Sequence, residues 1–256
     1  MITSRHNQRL KDIRRLRRSK GDHALLEGPH LVGEAVAAGY ELETVLATPA
    51  WLETPEGQRL VRHLPVVPLE IEPRLLEEVT DSDSPRGVLA VARLPRSGAG
   101  SLPVRDGAVY LYLDGLQDPG NVGALARVAE ATGSAGLILS PGTVHPNHPR
   151  ALRASAGSLL RLPVALAEPA EVDRRLAAVH PRWMALVPRE GEDLWKASLE
   201  GTLVLAVGAE GPGLSPLLQE RADLRLTIPV EPPVESLNAT VAAALVLFEL
   251  RRRSMV

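Results

Sequence analysis

Cysteine is absent from this 256-residue chain. Disulfides and thiolate metal sites are therefore excluded. A metal centre would have to be built from the seven histidines and from carboxylates. His145 and His148 are close neighbours, but the segment around them, PGTVHPNHPR, offers no third ligand, and its prolines break the local geometry. We therefore predict no metal site.

Long apolar runs are also missing, since no stretch approaches the roughly 20 residues that a membrane-spanning helix needs. The opening residues, MITSRHNQRL, are polar and basic, which is not the pattern of a signal peptide. Apolar residues make up 45% of the chain, which is enough for a packed core. We expect a soluble, cytoplasmic protein of one large or two small domains, without a membrane partner.

Lysine is scarce, with three residues against 26 arginines, so nearly all positive charge is carried by guanidinium groups, which suit phosphate. Residues 1–20 hold eight of these basic residues and one aspartate, although the whole chain has a net charge of -2. Leu10, Ile13 and Leu16 form an apolar seam on the same segment, which predicts an amphipathic helix. Such a helix is either an arm for a polyanion or a solvated surface helix. The candidate polyanion-binding residues of this segment are Arg9, Arg14, Arg15, Arg17 and Arg18.

Short alternating strands and helices up to Leu94 predict a small α/β domain. The segment PRSGAGSLPVRDG that follows is rich in Pro, Gly and Ser, which is typical of a linker. The predicted organisation is a domain over residues 1–96, a linker over 97–107 and a second domain over 108–256.

In the second domain, almost wholly apolar strands alternate with amphipathic helices, which predicts a buried parallel sheet. Three Gly- and Pro-rich loops follow strands, where ligands bind in such sheets: residues 114–127, 207–215 and 228–244. None matches the phosphate-binding loop of nucleotide triphosphatases, and none gives a dinucleotide fingerprint in its proper context. Each loop taken alone could be a plain tight turn.

The three loops resemble the signature motifs of the SpoU/TrmH RNA 2′-O-methyltransferases of the SPOUT class, in the segments DPGNVGALARVAEATG, LVLAVGAEGPGLS and TIPVEPPVESLNATVAAALVLFE. RASAGSLLRLPV resembles the helix that lies between the first two motifs. The N-terminal segments ITSRHNQRLK, LLEGPHLVGEAV and SPRGVLAVARLP resemble the accessory domain of members that act on ribosomal RNA. That domain is similar to ribosomal protein L30e, an RNA binder. The resemblance covers nearly the whole chain.

The resemblance implies an α/β fold: a parallel-sheet SPOUT domain with a trefoil knot and a smaller L30e-like domain. It implies a homodimer that transfers a methyl group from S-adenosyl-L-methionine (SAM) to a ribose 2′-hydroxyl of structured RNA, with ribosomal RNA favoured. The cofactor contacts would come from Gly208, Ile228 and Leu237, mainly through the backbone. The positions that match the family's functional residues are Asn121, Arg127, Glu210, Ser236 and Asn238.

We expect Arg127 to bind the phosphate beside the target ribose and to stabilise alkoxide charge, because a guanidinium resists deprotonation. Glu210 is expected to hold Arg127 or nearby backbone amides. The third motif usually has glycine where this chain has Pro232, a departure that bears on the shape of the cofactor loop.

Several alternatives stay open. Asn121, Ser236 and Asn238 could serve only as helix caps, and Arg127 could pair with Glu130. The apolar face of the last helix could belong to the core or to an interface. The protein could be an RNA binder that has lost turnover, or it could act on transfer RNA. A nicotinamide oxidoreductase is the weakest alternative.

Overall fold

The computed structural model describes residues 1–16, 21–81, 85–95 and 98–255. Its strands are β1 (His23–Glu27), β2 (Glu41–Ala47), β3 (Leu69–Glu70), β4 (Val88–Arg93), β5 (Val109–Asp114), β6 (Gly136–Leu139), β7 (Val164–Leu166), β8 (Arg182–Leu186), β9 (Glu192–Asp193), β10 (Leu203–Gly208) and β11 (Leu224–Thr227).

The α-helices are α1 (Gln8–Leu16), α2 (Pro29–Ala37), α3 (Pro49–Leu52), α4 (Pro55–Val61), α5 (Pro73–Glu77), α6 (Pro119–Thr132), α7 (Pro149–Ala154), α8 (Ser158–Arg161), α9 (Pro169–Leu176), α10 (Pro216–Arg221) and α11 (Ala239–Arg253). Short 3-10 turns lie at Ala99–Ser101 and Ala177–Val179. None of these helices is long and apolar enough to cross a membrane.

The chain forms two compact units, and their composition differs from the predicted domains. The first unit contains Met1–Pro95 together with His145–Arg161, and the second contains Arg96–Val144 and Leu162–Val256. The prediction placed residues 145–161 in the second domain because they lie between two strands of its sheet. In the structure, this segment packs with the N-terminal part of the chain.

The first unit has a four-stranded sheet in the order β1-β4-β2-β3, in which β4 is antiparallel to both neighbours and β2 is parallel to β3. Its core includes Leu10 and Ile13 of α1, and Leu16 packs against it, so the predicted amphipathic seam is confirmed. This architecture agrees with the predicted small α/β domain.

The second unit has a seven-stranded sheet in the order β7-β6-β5-β10-β8-β11-β9, and every pairing in it is parallel. The predicted parallel α/β domain is therefore confirmed, whereas its trefoil knot stays a prediction. Its central strands carry Tyr112 and Trp183, whose rings meet edge to face with centroids 5.2 Å apart. Burial raises the pKa of the Tyr112 hydroxyl, which donates to the Ala167 carbonyl.

The stretch predicted to be a linker belongs to this second unit along its described length. Ala99 and Leu102 are buried in the core of the unit, and the guanidinium of Arg175 holds the Leu102 carbonyl. A Pro/Gly-rich composition predicts an irregular backbone, but two apolar side chains are enough to anchor that backbone.

Candidate active site

The central strands β5 and β10 bring two of the three Gly-rich loops together. They are adjacent and parallel, and their last residues, Asp114 and Gly208, are register partners. The Asp114 carboxylate accepts a hydrogen bond of 2.7 Å from the Ser215 amide, which ties the loop after β10 to the end of β5. The carboxyl edge of the sheet therefore gathers these loops at one place, as the topology predicts.

Gly208 is required by the way its loop folds back on itself. Ala209 and Gly213 exchange backbone hydrogen bonds of 3.1 and 2.9 Å, which lays Gly213 and Leu214 against Gly208. A Cβ atom at position 208 would overlap the backbone of both residues. Any side chain there would push the loop open, so glycine at this position sets the loop's shape.

A cavity of about 450 Å³ lies between the loops at this edge. The predicted cofactor-contact residues Gly208, Ile228 and Leu237 all line it. So do Leu186, the last residue of β8, and Val187 and Pro188 after it, which the sequence interpretation missed although this apolar strand ends at the same sheet edge. The remaining wall is largely apolar, with polar groups from Glu210, Ser236 and Asn238.

Glu210 is the centre of a hydrogen-bond network beside this cavity. Its Oε1 atom accepts from Nδ2 of Asn121 at 2.9 Å and from Nδ2 of Asn238 at 2.5 Å. These three residues come from the three separate motifs, so one carboxylate joins all of them. The expected contact between Glu210 and Arg127 is not among the hydrogen bonds of the described residues.

The prediction that Asn121 caps helix α6 is wrong. The helix begins earlier, at Pro119, and its cap is Asp118, whose carboxylate accepts from the Gly120 amide at 2.5 Å. Asn121 lies inside the first turn, where its side chain is free to reach Glu210. The helix ends at Gly133, whose left-handed φ of 79° suits glycine.

Asn238 both caps α11 and contributes to the network. Its Oδ1 accepts from the amides of Thr240 and Val241, at 2.9 and 3.3 Å, while its Nδ2 donates to Glu210. Thr240, which sequence reasoning missed, donates from Oγ1 to Oδ1 of Asn121 at 3.4 Å. A hydroxyl two residues after a helix cap is a weak signal, because such residues usually bond only within their own helix.

Ser236 and Arg127 lie outside this network. Ser236 is exposed and lines the cavity. Arg127 is exposed on α6 and makes no hydrogen bond or ion pair with the described part of the chain, so the alternative pairing with Glu130 is not observed. Its guanidinium is available to an external partner. Pro232 is exposed and is not among the residues that line the cavity.

The basic N-terminal helix is partly engaged within its own unit. Arg14 donates to Glu78 at 2.9 Å and to the Arg5 carbonyl at 3.0 Å. Arg15 lies 3.8 Å from Asp12 and is 79% exposed, and Arg9 is also exposed. The predicted RNA contacts Arg17 and Arg18 lie outside the described residues.

His145 and His148 act as backbone acceptors in the structure. Nδ1 of His145 accepts from the Asn147 amide, and Nδ1 of His148 accepts from the Arg150 amide, both at 3.2 Å. Burial, followed by the charges of Arg153 and Arg150, lowers the pKa of His148, which keeps its ring neutral and able to accept.

Comparison with known protein families identifies both parts of the chain. Residues 108–248 match the SpoU rRNA Methylase family, and residues 7–90 match the MRM3-like substrate binding domain. The chain belongs to the SpoU rRNA methylase family. The predicted family resemblance is thereby confirmed over both halves.

Two curated relatives of this SpoU methylase align with it along nearly their full length. It is 33% identical to an uncharacterized tRNA/rRNA methyltransferase of Synechocystis, over 98% of this chain and 93% of the relative. It is 30% identical to the 23S rRNA (guanosine(2553)-2′-O)-methyltransferase RlmP of Bacillus subtilis, over 98% of both chains. Among solved structures, the SpoU methyltransferase AviRb of Streptomyces viridochromogenes in complex with AdoMet superposes with a TM-score of 0.90 at 27% identity, covering 98% of this chain and 99% of that one.

Proposed function

We propose that this SpoU methylase transfers a methyl group from SAM to a ribose 2′-hydroxyl of ribosomal RNA. The observation that carries the proposal is the Glu210 network, which joins the three family motifs beside a cavity. The Bacillus subtilis relative, a 23S rRNA 2′-O-methyltransferase that aligns end to end, supports both the ribose target and the class of RNA.

The cavity fits the cofactor by size and by chemistry. Its volume of about 450 Å³ falls within the range of small-molecule sites. Backbone around Gly208 and the apolar surface of Ile228 and Leu237 suit a cofactor with a polar adenine edge and a hydrophobic face. SAM supplies an electrophilic methyl group on a sulfonium. The protein's share of the chemistry is to place the ribose oxygen in line with that group.

The network residues hold the geometry of the site. Glu210 fixes the start of α6 through Asn121 and the start of α11 through Asn238, so the loops around the cavity are held rigidly. Oε2 of Glu210 has no hydrogen bond with the described residues and is free to accept one from the substrate. Arg127 is proposed to hold the phosphate next to the target and to stabilise negative charge on the reacting oxygen.

A homodimer is also part of this proposal. Val241, Leu245 and Phe248 form one exposed apolar stripe on α11, with 49%, 38% and 53% of each residue accessible. The stripe starts one turn from Asn238, so a second copy docked there would lie next to the network. Soluble proteins rarely leave a contiguous apolar stripe uncovered, which favours an interface over a free surface.

Nucleoside mass spectrometry tests the reaction. Unmodified ribosomal RNA is incubated with the protein and SAM, beside a transfer RNA substrate and an Arg127→Ala variant. We expect a 2′-O-methylnucleoside from ribosomal RNA with the wild type and a loss of product of at least about tenfold with Arg127→Ala.

The other outcomes of this experiment separate the alternatives. Product from transfer RNA alone would replace the substrate, and a base-methylated product would overturn the ribose target. If neither RNA is methylated, SAM binding separates the two remaining cases: a protein that binds SAM acts on another RNA, and one that binds RNA but not SAM is an RNA-binding member without turnover.

A further inference from the structure

Three segments that carried the family resemblance, but have no part in the methyltransferase site, converge on one cavity of the first unit. The cavity measures about 250 Å³. Its wall includes Glu27 to Leu31 of the LLEGPHLVGEAV segment, Pro85 and Arg86 of the SPRGVLAVARLP segment, and Arg153 of the RASAGSLLRLPV segment. Segments this far apart in sequence meet here because β1 and β4 are antiparallel neighbours and α7 packs on β1.

The backbone at Gly28 shapes the opening between these segments. Gly28 has a φ of 87°, which L-residues rarely adopt, and its amide donates to the Val88 carbonyl at 2.9 Å. This turn brings the end of β1 against the first residue of β4. The side chain of Arg86 lies over Gly28, within 3.8 Å of where a Cβ atom would be.

One wall of the cavity is fixed by a buried ion pair. The Glu27 side chain is only 3% exposed, and its Oε2 accepts from Nη1 of Arg153 at 2.6 Å. Its Oε1 accepts from the Asp81 amide at 2.8 Å. Burying such a pair gives little net stability, because desolvation offsets the attraction. What the pair does achieve is to hold the Arg153 guanidinium at a fixed place, with its remaining N–H groups unbonded to the described residues.

Arg86 is the second guanidinium of this cavity, and it is exposed. No hydrogen bond or ion pair joins it to the described part of the chain. His30, also exposed, lines the cavity beside it and donates from Nε2 to the Ala156 carbonyl at 3.2 Å, which leaves Nδ1 as an acceptor. One free guanidinium, one fixed guanidinium and one acceptor suit a phosphate with its adjoining ribose hydroxyl.

The size of the cavity decides between kinds of ligand. A whole cofactor or metabolite needs roughly 300–1,000 Å³, and this cavity is smaller. A single phosphodiester with part of its ribose needs less, and the rest of a bound RNA would remain outside.

We propose that this cavity holds one backbone phosphate of the substrate RNA, with Arg86 as its principal cation and Arg153 as a fixed second donor. The inference rests on the proposed function and locates part of the RNA surface in the first unit. It also places that contact apart from helix α1, where Arg14 is already held by Glu78.

The test compares Arg86→Ala with Arg93→Ala, an exposed arginine at the other end of β4. Binding of a ribosomal RNA fragment is measured by fluorescence anisotropy at several salt concentrations. We expect Arg86→Ala to weaken binding roughly tenfold and to lower the salt slope by about 1, as for the loss of one phosphate contact. Arg93→Ala should match the wild type. SAM affinity should be the same in all three proteins, as should the thermal unfolding midpoint.

A competition experiment and the comparison of the two variants decide whether the proposal holds. Inorganic phosphate, compared with chloride at equal ionic strength, should weaken RNA binding by the wild type more than by Arg86→Ala, because it competes for the same cavity; an equal effect on both proteins would overturn the proposal. Equal affinity and slope for Arg86→Ala and Arg93→Ala would overturn it as well. A wild type that binds RNA but never methylates it would defeat the proposed function while leaving this inference standing.

Discussion

The orientation of the amides around Glu210 follows from the chemistry of one residue. An ionised carboxylate only accepts hydrogen bonds, so Asn121 and Asn238 must both turn their NH₂ groups toward it. Each amide oxygen then needs a donor on its other side. Asn238 finds two helix amides, and Asn121 finds the hydroxyl of Thr240. Thr240 is therefore a positioning residue of the proposed site.

Replacing Thr240 with valine removes this hydroxyl and keeps the shape of the side chain. We expect Thr240→Val to lower kcat for methyl transfer about 3- to 10-fold, the equivalent of one neutral hydrogen bond, with little change in SAM affinity. Thr240→Ser should restore the rate. A fall in kcat that serine does not rescue would assign Thr240 a purely steric role. Thr132→Val, which removes a hydroxyl at the far end of α6 that bonds to helix carbonyls and to Ser134, is the matched control.

At this scale the sequence predicted which residues meet in the proposed site better than it predicted the contacts that each one makes. The family motifs point to Asn121, Glu210 and Asn238, and the structure brings these three together. The cap was misassigned although Asp118 followed by Pro119 is the stronger local signal, since proline favours the first helical position. The hydrogen bonds to Glu210 could not be read from the sequence, because Asn121 lies 89 residues away from it.

Among the elements, α7 has an unusual cap. His148 accepts the Arg150 amide through Nδ1, and an imidazole can do so only while that nitrogen is unprotonated. The pKa of His148 is lowered in the folded protein, so the unfolded chain takes up a proton first as the pH falls. The stabilising effect of this cap is complete above the ordinary histidine pKa of 6.5 and is lost progressively below it.

Asparagine at position 148 would keep a capping oxygen and remove the titration. We expect His148→Asn to match the wild type in urea unfolding at pH 7.5 and to exceed it at pH 5.5 by about 1 kcal/mol, the usual contribution of one cap. Because the other histidines are unchanged, the difference between the two proteins isolates this group. Parallel stability curves across this pH range would contradict the assignment.

Elements with strong periodicity were predicted well, and those that depend on tertiary contacts were not. The parallel strands β5, β6 and β10 are almost wholly apolar, which is the pattern that predicted a buried parallel sheet. The two-residue edge strand β9 has no periodicity to detect. The helical segment after His148 is divided into α7 and α8, because Ala156 and Gly157 adopt positive φ values of 48° and 91° between them.

For the whole molecule, the exposed stripe on α11 leads to a prediction about assembly. We expect the wild type to be a dimer by sedimentation equilibrium and Phe248→Lys to be a monomer, because a charge at the middle of an apolar interface is costly to desolvate. Methyl transfer should fall together with the dimer population. Leu217→Lys changes an apolar residue of α10 that is 57% exposed and should leave the dimer intact. A monomeric wild type with full activity would refute the proposed homodimer.

The sequence anticipated two bodies in this protein but assigned residues 145–161 to the wrong one. Nothing local marks these residues as belonging with the N-terminal sheet, since their partners, such as Glu27 for Arg153, lie more than a hundred positions earlier. Hydrophobic patterning predicts which faces of a helix or strand are buried, but it does not predict which of the two units buries them.

Because residues 145–161 belong to the first unit, a single cut in the gene cannot separate the two units. A gene cut between residues 95 and 96 would leave the upstream product without α7 and α8, and would leave the downstream product with two helices that have lost their partners. Exchange of RNA-binding modules between such enzymes would therefore have to carry a matching seventeen-residue insert within the catalytic half. The two units are separate in structure, but the chain segments that build them have to be exchanged together.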